Sequence, residues 1–175
     1  MRTLFSLVTE TPSGRVFVRP SVRAIILRGG RVAMVHSLKY DYYKFPGGGI
    51  EPGESHADAL ARETREEAGL VVRPETVRAY GVVPRVEREP ENGIHAGEYD
   101  FFSQDNFYYL CDAEPAAAEQ ELDDYEADER FTLEWVAPET AIAANRRPDH
   151  GPKSPVMIER EARVLELLRQ EGRFG

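Results

Sequence analysis

The sequence predicts an α/β fold, an α/β/α sandwich around a mixed β-sheet. Three observations point there. Short apolar runs bounded by Gly, Pro, Asn and Asp are interleaved with amphipathic helical stretches along the chain. The helical stretches carry their own start signals, Ser55 with Asp58 three residues on, and Ser154 followed by Pro155. The length of 175 residues suits one domain, 1–175, with a substantial core.

The elements follow in order. Residues 1–20, with Thr11-Pro12-Ser13-Gly14 as a turn, read as an extra N-terminal hairpin ahead of the sandwich. Val22 to Leu27 and Val32 to His36 are apolar runs on either side of Arg28-Gly29-Gly30-Arg31, a two-residue hairpin signal. Tyr40 to Phe45 leads into a tight glycine turn, Phe45-Pro46-Gly47-Gly48-Gly49. A helix runs from the Ser55 cap to Gly69, a left-handed stop, with Ala57, Leu60, Ala61, Thr64 and Ala68 as its core stripe. Val77 to Val86, Phe107 to Cys111 and Phe131 to Val136 read as strands, Trp135 lying in the last. Pro138 to Asn145 is a short helix and Pro155 to Gln170 a longer one, with Ser154 at its N-cap. Between the strands Phe107 to Cys111 and Phe131 to Val136, Glu114 to Glu129 reads as a mostly solvated acidic loop. Arg85 to Asn106 is long enough for either a specificity loop or a mobile connection.

The helix after the glycines carries the chemistry. Glu63, Glu66 and Glu67 fall together on the flank of its core stripe. Like charges at i,i+3 and i,i+4 cost about a few tenths of a kcal/mol per pair, and the helix dipole disfavours negative charge in the last turn. Arg62 relieves part of this, pairing with Asp58 or Glu66 or reaching back to the loop. A charge run of this kind usually marks a solvated, salt-bridged face. The glycines upstream tip the reading, because they allow positive φ and the close backbone approach that an ion or a phosphate requires. An oxygen-only ligand set suits Mg²⁺ or Mn²⁺ rather than zinc.

These residues resemble the Nudix box: Gly, five residues, Glu, seven residues, then Arg-Glu-U-x-Glu-Glu-x-Gly-U, where U is bulky and apolar. Gly48, Glu54, Arg62, Glu63, Glu66, Glu67 and Gly69 occupy the fixed positions and Leu70 the last U. Chance supplies such a match about once in 10⁹ windows. Thr64 departs from the usual Ile, Leu or Val and implies a small stability cost. The box covers 23 of 175 residues, and the order of elements outside it agrees with the Nudix sandwich.

The resemblance implies a metal-dependent pyrophosphohydrolase that cleaves a diphosphate bond in a nucleoside diphosphate linked to another moiety. Glu63, Glu66 and Glu67 would hold Mg²⁺ (or Mn²⁺) with the backbone of Gly48 nearby. Arg62 would orient Glu63, and Glu54 would brace the loop or serve the substrate and outer shell. For the general base the order is Glu63, then Glu129, a carboxylate just ahead of the Phe131 strand, with Glu67 a further candidate. Glu126 is the runner-up to Glu129. Tyr42 and Tyr43, beside Tyr40, are candidates for stacking on a base, although aromatics there more often pack a core. Pro84 falls one residue short of the position of the proline in many ADP-ribose hydrolases, and no other subgroup marker selects a substrate.

Composition sets further bounds. A net charge of −9 argues against polymeric nucleic acid as partner and leaves a nucleotide-type small molecule open. No apolar run reaches membrane-spanning length, and the N-terminal apolar stretch is too short for a secretory signal. Cys111 is the single cysteine, so no intrachain disulfide forms, in keeping with a cytoplasmic protein. His36, His56, His95 and His150 lack zinc spacing. The alternative to the hydrolase is a catalytically silent nucleotide-binding sensor on the same fold, which would show erosion among Arg62, Glu63, Glu66 and Glu67. An isoprenoid-diphosphate isomerase would need a better-placed cysteine. Family members are often homodimers, for which the N-terminal hairpin and the Pro155–Gln170 helix are candidate surfaces.

Overall fold

The computed structural model describes residues 1–175. In chain order the elements are β1 (Leu7–Val8), β2 (Val16–Val18), β3 (Ser21–Ile25), β4 (Leu27–Arg28), β5 (Arg31–Ser37), β6 (Tyr42–Lys44), β7 (Gly47–Gly49), α1 (His56–Ala68), β8 (Arg78–Arg88), β9 (Phe101–Leu110), α2 (Asp124–Asp128), β10 (Phe131–Val136), α3 (Pro138–Asn145) and α4 (Pro155–Gln170). One sheet has the order β1-β8-β9-β3-β7, with β2 also on β9; the other is β10-β5-β4, with β6 on β5. Parallel and antiparallel pairs occur together, as a mixed sheet requires.

Alternation along the strands builds the layers. Val22, Ala24 and Ile26 pack with Leu60 and Ala68 of α1, joined by Ala33 and Val35 of β5. Ile25 points the other way, with Val32, Met34, Phe45 and Tyr108, into the layer made by α3 and α4 through Ala141, Leu165 and Leu168. The Gly29-Gly30 turn has φ of 58° and 74°, the mirror-image turn a tight hairpin needs between β4 and β5. The helix ends fall where the caps put them. Ser55 accepts from the Asp58 amide, Gly69 closes α1 with φ 67°, and Ser154 caps α4 with Pro155 in its first turn.

The N-terminal hairpin is not formed. β1 runs parallel to β8, and β2 runs parallel to β9. The turn at Thr11–Gly14 therefore carries the chain across the end of the β8–β9 ribbon, and its two limbs lie two strands apart. β2 and β3 keep one register on β9, Val16 against Phe101 and Ser21 against Asn106, so they form one strand interrupted at Arg19-Pro20. The glycine run is likewise not a turn: Gly47–Gly49 is an antiparallel strand on β3. The chain turns later, at Gly53, with φ 78°.

Part of the acidic connection is also ordered. The amides of Ala118 and Glu121 donate to the carbonyls of Gly69 (2.7 Å) and Glu66 (2.7 Å), and Gln120 Nε2 donates to the carbonyl of Glu67 (2.6 Å). These are carbonyls at the C-terminal end of α1, which the helix itself leaves unsatisfied. Asp123 and Glu126 then form a capping box on α2.

Asn145 closes an open edge. Its Oδ1 accepts from the Tyr43 amide (2.7 Å), and its Nδ2 donates to the carbonyls of Tyr43 (2.8 Å) and Ile158 (3.1 Å), tying β6 to α3 and α4. Removal of this buried side chain strands three backbone groups, so Asn145→Ala is expected to cost about 2–3 kcal/mol. Thermal unfolding followed by circular dichroism should show Tm lower by about 5–10 °C.

Candidate active site

The box residues meet where β7 passes under α1. Gly48 makes this approach tight: a Cβ there would collide with the carboxylate of Glu63. Gly47 has φ 148°, and a Cβ there would strike the carbonyl of Val22. With no side chains in the way, the Gly47 amide donates to Glu67 Oε1 at 3.2 Å.

Arg62 organises the acidic face. Its Nε and Nη2 hold both oxygens of Glu54, at 2.8 and 2.9 Å. Nη1 reaches Glu63 at 2.7 Å and Glu66 at 3.4 Å, and Nη2 also donates to the carbonyl of Gly49 at 3.1 Å. Three carboxylates thus share one guanidinium. The bidentate bond to Arg62 holds the Glu54 carboxyl down at about 2. Glu54 also accepts from the Glu51 amide at 2.9 Å, which braces the turn before α1.

Glu67 lies inside the core rather than on the flank of the stripe, 1 % exposed, and forms an ion pair with Lys44 Nζ at 2.6 Å. Burial pushes its carboxyl up to about 7 despite the ammonium beside it. Sequence reasoning passed over Lys44. The available signal was a lysine on the inward phase of the short strand Tyr42–Lys44, where only a buried acid makes such a residue tolerable. Ala57 and Ala59 exchange places: Ala57 is exposed and Ala59 is fully buried. No three His, Cys, Asp or Glu side chains are grouped so as to hold a metal ion with Arg62 and Lys44 in these positions.

Other expected site residues sit elsewhere. Glu129 is 3 % exposed, and both its oxygens are taken, by Ser37 Oγ (2.9 Å) and Tyr42 OH (2.9 Å) on one and Lys153 Nζ (2.8 Å) on the other. It ties β5 and β6 to the segment that leads into α4. Glu126 is the carboxylate whose charge acts on Glu67, and it is itself acted on by Lys44 and Glu63. Burial raises its carboxyl. Tyr42 is 1 % exposed beneath α1, with its hydroxyl spent on Glu129, so it offers no face to a base. Tyr43 points to the opposite layer, its ring stacked on His36 at 4.1 Å. Buried Cys111 has its thiol pushed up to about 12 by burial, which leaves it a packing residue.

No helix is long and apolar enough to cross a membrane. Over 122 residues, 67% of this chain, the sequence is 29% identical to an RNA pyrophosphohydrolase of Xanthomonas campestris pv. campestris (strain B100). That match takes in 58% of the relative's length. An RNA pyrophosphohydrolase of Xanthomonas oryzae pv. oryzae (strain MAFF 311018) is 37% identical over 67 residues, 38% of this chain and 32% of the relative. Among solved structures, a NUDIX hydrolase from Nitrosomonas europaea superposes with TM-score 0.54 at 19% identity, over 75% of this chain and 82% of that one. The MutT NUDIX hydrolase of Burkholderia pseudomallei superposes with TM-score 0.51, also at 19%, over 82% and 97%. These structures establish the sandwich fold. Residues 18–159 match the model of the NUDIX domain, and the protein belongs to the Nudix family.

Proposed function

We propose that the protein is a metal-dependent pyrophosphohydrolase cleaving a diphosphate bond in a nucleoside diphosphate linked to another moiety. One observation carries the reading. Three carboxylates, Glu54, Glu63 and Glu66, share a single guanidinium beside a backbone that approaches without side chains. Such an excess of negative charge favours a further cation, and Nudix hydrolases generally use divalent ones. The donors are all oxygen, which fits Mg²⁺ or Mn²⁺. The Lys44 ammonium on Glu67 marks where positive charge is already accepted.

In this reading Glu63, Glu66 and Glu67 hold the ion, with the Gly48 backbone beside them. A bound divalent ion offsets charge on the phosphoryl oxygens and acidifies water. Arg62 fixes the Glu63 carboxylate, which takes the proton of the attacking water as its oxygen bonds phosphorus and the bridging P–O bond breaks. Glu126 replaces Glu129 as the second carboxylate with access to this chemistry. The charge of −9 disfavours a long polyanion, which leaves a small nucleotide-type molecule as the substrate in this reading. The relatives' name, which refers to RNA, adds an oligonucleotide with a 5′ diphosphate linkage to the substrates worth testing.

Phosphate release should be measured across nucleoside diphosphate derivatives, dinucleoside polyphosphates and that oligonucleotide, with Mg²⁺ and with Mn²⁺. Glu66→Gln is expected to lower turnover about 10²- to 10³-fold with Tm little changed, and Glu67→Gln to lower turnover as far but also to lower Tm, because it leaves the buried Lys44 ammonium without its counter-ion. Near-wild-type turnover in both removes the metal assignment. Metal binding without turnover on any substrate points to the sensor instead.

The brace at Glu54 has a pH signature. Its folded-state carboxyl is held below its ordinary value, so its stabilisation is complete above about pH 4.5 and is lost as pH falls toward about 2. Unfolding midpoints measured from pH 6 to about pH 2.5 should therefore fall less steeply for Glu54→Gln than for the wild type. Parallel profiles would contradict the brace.

A further inference from the structure

One buried cation of this chain has no counter-ion. Lys44 pairs with Glu67, Arg85 with Glu87, and Arg160 with Glu161. Arg23, on β3, is 7 % exposed and has no carboxylate within 4.0 Å. Only its Nη1 is bonded, to the carbonyls of Gly47 at 3.0 Å and Phe45 at 3.5 Å. Its Nε is buried without a partner. Nε–H and the adjacent Nη2–H form one parallel fork, the edge with which a guanidinium grips phosphate or carboxylate. Here that edge is unspent.

The surroundings add positive charge rather than removing it. Arg23 shares a face of the sheet with Ser21 and Ile25, the face covered by α4. Arg160 of α4 is fully buried, bonded to Asn106 at 2.8 Å and Glu161 at 2.7 Å, and its Nε is also without a partner. Arg85 is buried near both and feels their charge. Three guanidiniums thus face one fully buried carboxylate, Glu161, and Glu87 at the rim. Leaving such a charge unpaired in a core is costly. An apolar residue would serve the strand at Arg23 better unless an anion comes to it.

Gly47 fixes where that anion would be. Its carbonyl accepts from Arg23 and its amide donates to Glu67, so the unspent guanidinium and the box carboxylates meet at one residue. The charge of Arg23 also acts on Glu67. We propose that Arg23 is a binding residue for a phosphoryl oxygen of the substrate, taken through its Nε/Nη2 edge beside Gly47. The class of ligand rests on the diphosphate reading above; the anion site rests on Arg23 itself.

Inorganic phosphate is the probe, titrated into the metal-free 175-residue chain and followed by Tm and by the arginine Nε–H resonances. Phosphate should raise the Tm of the wild type and shift the Arg23 Nε–H. Arg23→Gln should bind phosphate at least about tenfold more weakly while its phosphate-free Tm stays level or rises, since an unpaired buried charge is gone. With any substrate that turns over, Arg23→Gln should raise KM about tenfold and leave kcat within about threefold. Equal phosphate binding by both proteins, or no Nε–H shift, overturns the proposal. Weakened phosphate binding with unchanged KM assigns the site to released phosphate and overturns its role toward substrate. If Arg23→Gln does not fold, the wild-type Nε–H shift decides. Should no substrate turn over, the hydrolase reading fails, while the phosphate titration still stands or falls on Arg23.

Discussion

The close passage of a bare backbone strand under the C-terminal half of α1 is the constraint on which the site depends. Gly47–Gly49 pairs with β3 and presents no side chains, so the helix settles against it. The three glycines are not equivalent. At Gly47 a side chain would meet the backbone carbonyl of Val22, which cannot give way. At Gly48 and Gly49 it would meet the mobile ends of Glu63 and Arg19. The first glycine thus secures the strand, and the second sets how near a carboxylate comes to the main chain. Only because of this approach does a buried glutamate find a backbone N–H for one oxygen and a lysine for the other.

The same approach explains how a helix tolerates three glutamates at its C-terminal end, with Glu54 just ahead of its start. Charge in the last turn opposes the helix dipole. The chain answers with cations and with donors. Arg62 gathers Glu54, Glu63 and Glu66, while Lys44 enters from β6 to meet Glu67. The backbone of 118–121 folds back onto the terminal carbonyls. These contacts hold the carboxylates near one another without grouping three of them on a point. An arriving cation would have only to displace side-chain contacts, since the backbone is already positioned.

Much of this was legible before the structure, for physical reasons that differ from element to element. Caps and periodicity are local, so α1, α3, α4 and β10 fall where Ser55, Gly69, Ser154, Pro155 and the apolar pattern put them. Seven fixed residues identified the box. Pairing partners are not local, and there the reading erred. A turn at Thr11–Gly14 suits a hairpin as well as it suits a chain crossing the end of another hairpin. Glycines at 47–49 suit a turn as well as a strand whose side chains have no room. Glu129 and Glu126 differ by three positions on α2 and its end, and only the docking of that turn shows that Ser37, Tyr42 and Lys153 claim Glu129. Arg23 lay inside an apolar run read as a plain strand; a charge on the inward phase was the overlooked signal.

The two faces of the glycine strand carry opposite charge. On the side of α1, carboxylates outnumber the cations that hold them. On the side of α4, guanidiniums outnumber their carboxylates. Core packing alone would not sort charge this way, because each side would be cheaper to bury if it were balanced within itself. In the proposed function a diphosphate would account for both excesses, the carboxylates serving to hold the divalent cation and the guanidinium across the strand to donate to a phosphoryl oxygen. Gly47 joins the two halves: its amide donates to Glu67 and its carbonyl accepts from Arg23. The two halves therefore meet at the backbone of β7, where the Val22 carbonyl and the Glu63 carboxylate leave no room for side chains.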